Sequence, residues 1–249
     1  MSTTHASRAV LKSEFRLFGR EPGAIFWILV FPTALITILG LIPAFREVGE
    51  DLDGRRVIDL YVPVAVLLSM IVAGIQSMPA VLVGYRERGI LRRLSATPAR
   101  PQSLLTAQLV LHGAAIALSV LLALTVGRVV FDVALPGQLA GYVLAVVLTA
   151  GAALALGATI AAVSRTGKIA QTVGTIVFFP AMFTAGVWLP VQTMPDTLRE
   201  IVQLTPFGAA SQALDQAATG SWPGWAPLAL TALWALVLTA VAVRRFRWE

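Results

Sequence analysis

"VGYRERGILRRLSATPARPQ" (residues 83–102) separates two long apolar runs with five arginines, Arg86, Arg88, Arg92, Arg93 and Arg100, set around one acid, Glu87, and closing on Pro98 and Pro101. A short basic insert between oily segments reads as a surface loop of a membrane protein, and the rest of the chain agrees. Of its 249 residues 57% are hydrophobic and only 13% charged, where an ordinary soluble domain is about one quarter charged. Working outward from the insert, apolar runs near residues 24–45, 58–85, 103–127, 138–163, 169–189 and 224–243 each approach the length of about 20 residues that a helix needs to cross the hydrocarbon core. The expected fold is an all-α integral membrane protein of six transmembrane helices in one transmembrane domain, residues 1–249. The runs are continuous rather than alternating, which disfavours a β-barrel. The first follows a basic stretch, as in a signal peptide, but has near full membrane length and no convincing small-residue cleavage site, so it reads as a retained span.

Charge sets the orientation. With the N-terminus inside, fourteen of the nineteen Lys and Arg residues fall on the cytoplasmic side: Arg8, Lys12, Arg16 and Arg20, the five arginines of the insert, Arg165 and Lys168, and Arg244, Arg245 and Arg247. Five fall opposite, at Arg46, Arg55, Arg56, Arg128 and Arg199, together with most of the acids, from Glu47 to Asp215. This positive-inside bias places both termini and the insert in the cytoplasm. The basic residues are spread over short loops without interleaved stacking aromatics, so they are read as topology and not as a nucleic-acid surface. Arginine outnumbers lysine 17 to 2 and alanine is abundant, a composition in keeping with a GC-rich bacterial genome and a bacterial plasma-membrane location.

Several chemistries are excluded. There is no cysteine, hence no disulfide, thiolate metal site or cysteine nucleophile. No G-x-x-x-x-G-K-[ST] loop is present, so ATP, if it powers the protein, is bound elsewhere. His5 and His112 stand far apart without H-E-x-x-H or nucleophile-elbow patterns, and no metal site or catalytic residue is assigned. His112 lies within the third run, one turn after Gln108, a spacing suited to interhelical hydrogen bonds or, less simply, to a proton relay. No run carries an acid near its middle, which argues against proton-coupled exchange.

Other segments add detail. In residues 1–23 Arg8, Lys12, Arg16 and Arg20 share one arc of a helical wheel opposite Val10, Leu11, Phe15, Leu17 and Phe18, the pattern of an interfacial helix meeting membrane lipid. Glu14 and Glu21 fall on its apolar side, where they would snorkel or cap, or meet a basic partner surface. "REVGEDLDGRRVID" (46–59) is a solvated outer loop, since Asp51, Asp53 and Gly54 lack the remaining calcium ligands. Small residues Gly151, Ala155 and Thr159, with Gly157 and Ala161, form a stripe for close helix packing. Residues 190–223 read as two short helices at the outer leaflet, broken at Pro206. "IVFFPAMFTAGVW" (176–188) offers Phe178, Phe179, Met182 and Phe183 as large adaptable apolar surface facing lipid, a neighbouring helix or a lipophilic substrate.

The insert also carries a family likeness. "YRERGILRRLSATPARP" resembles the signature of type-2 ABC transporter permeases, with Glu87, Gly89, Leu91, Leu94, Thr97 and Pro98 at the matching places. "TAGVWLPVQTMP" (184–195), "LTPFGAASQAL" (204–214), the amphipathic N-terminal helix and the six spans extend the likeness over nearly the whole chain, and the daunorubicin-resistance-like drug-export permeases look most similar. The resemblance implies a transport subunit, not an enzyme, that pairs with a second permease as homodimer or heterodimer. It further implies a separate ATP-binding-cassette ATPase that binds ATP and Mg, and export of a lipophilic compound such as a drug, antibiotic or lipid-like molecule. Residues 86–98 would form the coupling helix, with Arg86, Glu87, Arg88, Gly89, Ile90, Leu91, Arg92, Arg93, Leu94, Thr97 and Pro98 docking on the ATPase. An ATP-independent multidrug carrier and the permease of a lipid or glycan exporter are the alternatives.

Overall fold

In the computed structural model of the chain, which describes residues 3–49, 52, 54–95 and 101–245, the regular structure is helical apart from one isolated bridge between Val48 and Arg56. In chain order the helices are α1 (Thr3–Phe18), α2 (Pro22–Leu41), α3 (Val57–Glu87), α4 (Ile90–Ser95), α5 (Pro101–Phe131), α6 (Leu139–Val163), α7 (Gly167–Thr184), α8 (Asp196–Gln203), α9 (Pro206–Ala218) and α10 (Trp225–Arg245). Among the described residues five of them, α2, α3, α5, α6 and α10, are long and apolar enough to cross a membrane.

α7 is not one of the five, although it covers most of the run expected at 169–189. It has 18 residues, about 27 Å at 1.5 Å per residue, and its first turns carry Lys168, Gln171 and Thr172. It stops at Thr184 for a local reason. Gly186 adopts φ +84, Gly186 N–H donates to the Phe183 carbonyl and Val187 N–H to the Met182 carbonyl, the paired closing bonds of a glycine-terminated helix.

α3 is the centre of the bundle. In its membrane-length segment 89% is buried, against 22% in α2 and in α10, as its nearly uninterrupted apolar sequence from Val57 to Ile75 requires of a helix hydrophobic on all sides. α2 and α5 pack on part of its surface, and α6, α7 and α9 on the rest, while α10 lies outside against α6 and α9. Two helices contain a widened π turn, α2 at Phe26–Val30 and α3 at Val72–Ser77. The second is where α6 comes closest: a Cβ on Gly157 would stand 1.9 Å from the Gly74 carbonyl oxygen, and one on Gly74 would stand 2.3 Å from that of Ala153. Only glycine at both places lets the two backbones touch. The small-residue stripe of α6 thus divides, for Gly157 faces α3, Thr159 Oγ1 donates to the Leu238 carbonyl of α10 at 2.9 Å, and Gly151 is exposed.

The end of the bundle away from Arg86 is tied by arginine. Asp59 accepts the Arg56 N–H at 2.9 Å and its guanidinium at 2.7 and 3.1 Å, while the same guanidinium donates to the carbonyls of Phe131 (3.0 Å) and Asp132 (3.2 Å), joining the start of α3 to the end of α5. Arg55 pairs with Asp215 of α9 at 2.7 Å. Asp51 and Asp53 lie outside the described residues.

Candidate functional site

The basic end is built around the last turn of α3. Gly89, with φ +66, closes that helix through its N–H to the Arg86 carbonyl (3.0 Å), and α4 begins after it as a separate helix. The left-handed conformation is one that glycine adopts without strain. Arg86 and Glu87 therefore belong to α3, and the separate helix at this end begins at Ile90.

Each residue of the expected docking set has a definite place. Arg86 reaches across to the end of α6, donating to the carbonyls of Ala161 (3.1 Å) and Ser164. Glu87 accepts the N–H of Gly167 at 3.0 Å, a carboxylate at the first turn of α7, where the helix dipole favours negative charge. Together they clasp the tight α6–α7 connection from both sides. Arg88 lies 5.4 Å over the Tyr85 ring and donates to the Gly84 carbonyl. Leu91 is 2% exposed and packs with Tyr85 and Leu104, with Val10, Ile90 and Leu94 around them. The apolar stripe of α4 thus faces its own chain, leaving Arg88 and Arg93 exposed on the outer surface. The side chain of Arg92, together with Thr97 and Pro98, lies outside the described residues.

Behind this turn stands a group whose role the sequence did not reveal. Glu14 of α1 is 6% exposed, and its Oε2 accepts from Tyr85 Oη at 2.8 Å and Gln108 Nε2 at 2.5 Å. It neither snorkels nor meets a basic surface: it locks the amphipathic helix to α3 and α5. Burial pushes the Glu14 carboxyl above its ordinary value, against the opposing pull of the two hydrogen bonds. The polar contacts continue inward. His112 Nδ1 lies 2.9 Å from the Gln108 carbonyl, and its Nε2 is 3.1 Å from Ser77 Oγ, a bond between α5 and α3. The signal available beforehand was an acid on the wrong arc of a wheel, without its partner.

Ser77 opens onto a groove of about 390 Å³ lined by Trp27, Val72, Gln76, Ser77, Gln171 and Phe178. Trp27 and Gln76 come from the two π turns, and such turns often mark functional sites in helices. Gln171 Nε2 donates to Gln76 Oε1 at 3.3 Å. None of the described lining residues is charged, so the wall is apolar with neutral hydrogen-bonding groups. Of the four side chains singled out as substrate-facing, Phe178 alone lines this groove. Phe179 is 54% exposed and stacks on Trp188, Phe183 packs near Val191, Met194 and Val202, and Met182 rests on the main core.

A multi-pass helical bundle with a buried central helix, an uncharged groove and a glycine-broken basic turn defines a membrane-embedded protein. The profile of the ABC-2 type transporter family matches residues 5–218, and the chain belongs to that family. It is accordingly a transport subunit of an ABC exporter and not a catalytic one, and membership implies partnership with an ABC ATPase and a second permease. No curated protein matches the chain.

Proposed function

We propose that this chain is the permease of a daunorubicin-resistance-like exporter that moves a lipophilic drug, antibiotic or lipid-like compound outward across a bacterial plasma membrane. It does so as one of two permease subunits, energised by a separate ATPase that holds ATP and Mg. The chain crosses six times, with α7 as the fifth crossing and both termini in the cytoplasm. Chain direction supports this count: α7 starts at Gly167 beside Glu87 and leads to α8 and α9, whose Asp215 pairs with Arg55 at the opposite end, while Arg245 of α10 returns to a cleft shared with Arg86 and Arg165. Five crossings would separate those arginines across the bilayer.

The observation that carries the reading is the break at Gly89. It detaches α4 from the central helix while α4 stays packed on Tyr85 and Leu104, so a push on the exposed Arg88 and Arg93 is transmitted to α3, and through α3 to Ser77 and Gln76 at the groove. In this role α4 docks by its charged outer surface and uses its leucines to grip its own bundle. Arg86 and Glu87 contribute by holding the α6–α7 connection beside it. The test is copurification in mild detergent with its partner ABC ATPase. Arg88→Glu combined with Arg93→Glu abolishes recovery of the ATPase while the permease keeps its elution volume. Undiminished recovery would refute the docking role.

A further inference from the structure

The clasp formed by Arg86 and Glu87 also walls a cleft of about 500 Å³ that transport through the groove does not use. Its other walls are the ends of α6 and α10 and the α6–α7 connection, contributing Val163, Ser164, Arg165 and Arg245. Three guanidinium groups face one carboxylate there, and that carboxylate already accepts from Gly167. Arg86 is committed to carbonyl oxygens, whereas Arg165 and Arg245 are exposed. Ser164 is 1% exposed, and its hydroxyl has no hydrogen-bond partner among the described residues. That hydroxyl is shut off from the open cleft, so the exposed guanidinium groups of Arg165 and Arg245 are the donors available in it.

We propose that this cleft binds the phosphate headgroup of an anionic phospholipid, with Arg165 and Arg245 holding the phosphate. Position favours a lipid over an acidic segment of a partner protein. The cleft lies where three membrane-length helices end together, at Glu87, Val163 and Arg245, which is headgroup depth. Val163 on its wall is 51% exposed and offers apolar surface along which an acyl chain can run. α4, the element facing an ATPase, leans on α3 and α5 around Leu104, a different flank of α3 from the one Arg86 presents to α6. Basic pockets between helix ends are an established way for membrane proteins to hold anionic headgroups. A lipid there would bridge α6 and α10 and complete the clasp around the α6–α7 turn.

The test uses the full chain in detergent micelles, titrated with phosphatidylglycerol, phosphatidylcholine or inorganic phosphate and read by native mass spectrometry. The wild type retains phosphatidylglycerol in preference to phosphatidylcholine. Arg165→Gln with Arg245→Gln weakens phosphatidylglycerol binding about thirtyfold, the value for two arginines near an anionic surface. Arg165→Lys with Arg245→Lys restores most of it. Arg46→Gln with Arg128→Gln removes the same charge from exposed positions outside the cleft and leaves binding unchanged. Equal losses in the two Gln pairs would mean diffuse attraction and overturn the proposal. So would complete displacement by inorganic phosphate at matching concentration, which would make this a free-anion site. Full lipid retention by the cleft variant with loss of ATPase copurification would assign the cleft to a protein and equally overturn it.

Discussion

Replacing Glu14 by alanine removes the acceptor shared by Tyr85 Oη and Gln108 Nε2. Tyr85 is 8% exposed and Gln108 3%, so neither donor finds bulk water in exchange. Each buried donor left unpaired costs about 1–3 kcal/mol. Water entering the space vacated by the carboxylate recovers part of that, since the site lies near the bundle surface, leaving about 2 kcal/mol or somewhat more. A loss of about 2 kcal/mol in the attachment of α1 corresponds to a roughly thirtyfold rise in its local opening. Amide hydrogen exchange over Arg8–Phe18 in lipid nanodiscs reads this directly. Glu14→Gln keeps a carbonyl oxygen able to accept both bonds and stays close to the wild type. The pH dependence has a defined sign. Because burial raises the Glu14 carboxyl above its ordinary value, the protonated form is the one that packing favours. Attachment of α1 is then fullest below the ordinary carboxylate value and weakens as pH rises through the raised one. Glu14→Gln abolishes that dependence. Exchange of α1 in Glu14→Ala equal to the wild type, or a pH dependence surviving in Glu14→Gln, would refute the lock.

Gly157→Leu drives a side chain into the Gly74 carbonyl, which a Cβ would already meet at 1.9 Å. The backbones must part by more than an ångström, and overpacking of this kind costs about 1–3 kcal/mol or more. A lowered melting temperature and reduced monodisperse yield are expected, while Gly151→Leu, with nothing within 4 Å of its Cβ, leaves both unchanged. In the groove, Gln76→Leu removes one amide of the Gln76–Gln171 pair. For a transported compound that hydrogen-bonds there the apparent KM rises about fivefold, the worth of one such bond of about 1 kcal/mol. A purely apolar compound shows no change in the same vesicle assay.

Much of the helical order was legible because it depends on run length. The apolar stretches at 24–45, 58–85, 103–127, 138–163 and 224–243 fall on α2, α3, α5, α6 and α10 within a few residues, since crossing length and apolar content are local properties. The early end of α7, short of the run expected to 189, depends on the positive φ of Gly186, which sequence does not display. The basic insert could be placed, but neither the helix break at Gly89 within the expected helix 86–98 nor the inward orientation of Leu91 could, because the first depends on a positive φ and the second on Leu104 of another helix. The π turns left no periodic signature, so the meeting of Trp27, Gln76 and Gln171 in one groove was hidden. Glu14 showed as an anomaly in its wheel, and its partners lie 71 and 94 residues away along the chain.

The central claim, that motion at the basic turn drives passage through the bundle, is tested most directly in inside-out vesicles containing the chain and its ATPase, by following uptake of a lipophilic fluorescent dye. The account predicts ATP-dependent accumulation that requires the ATPase and is lost in Arg88→Glu with Arg93→Glu. Accumulation undiminished without the ATPase, or unaffected by those substitutions, would contradict it.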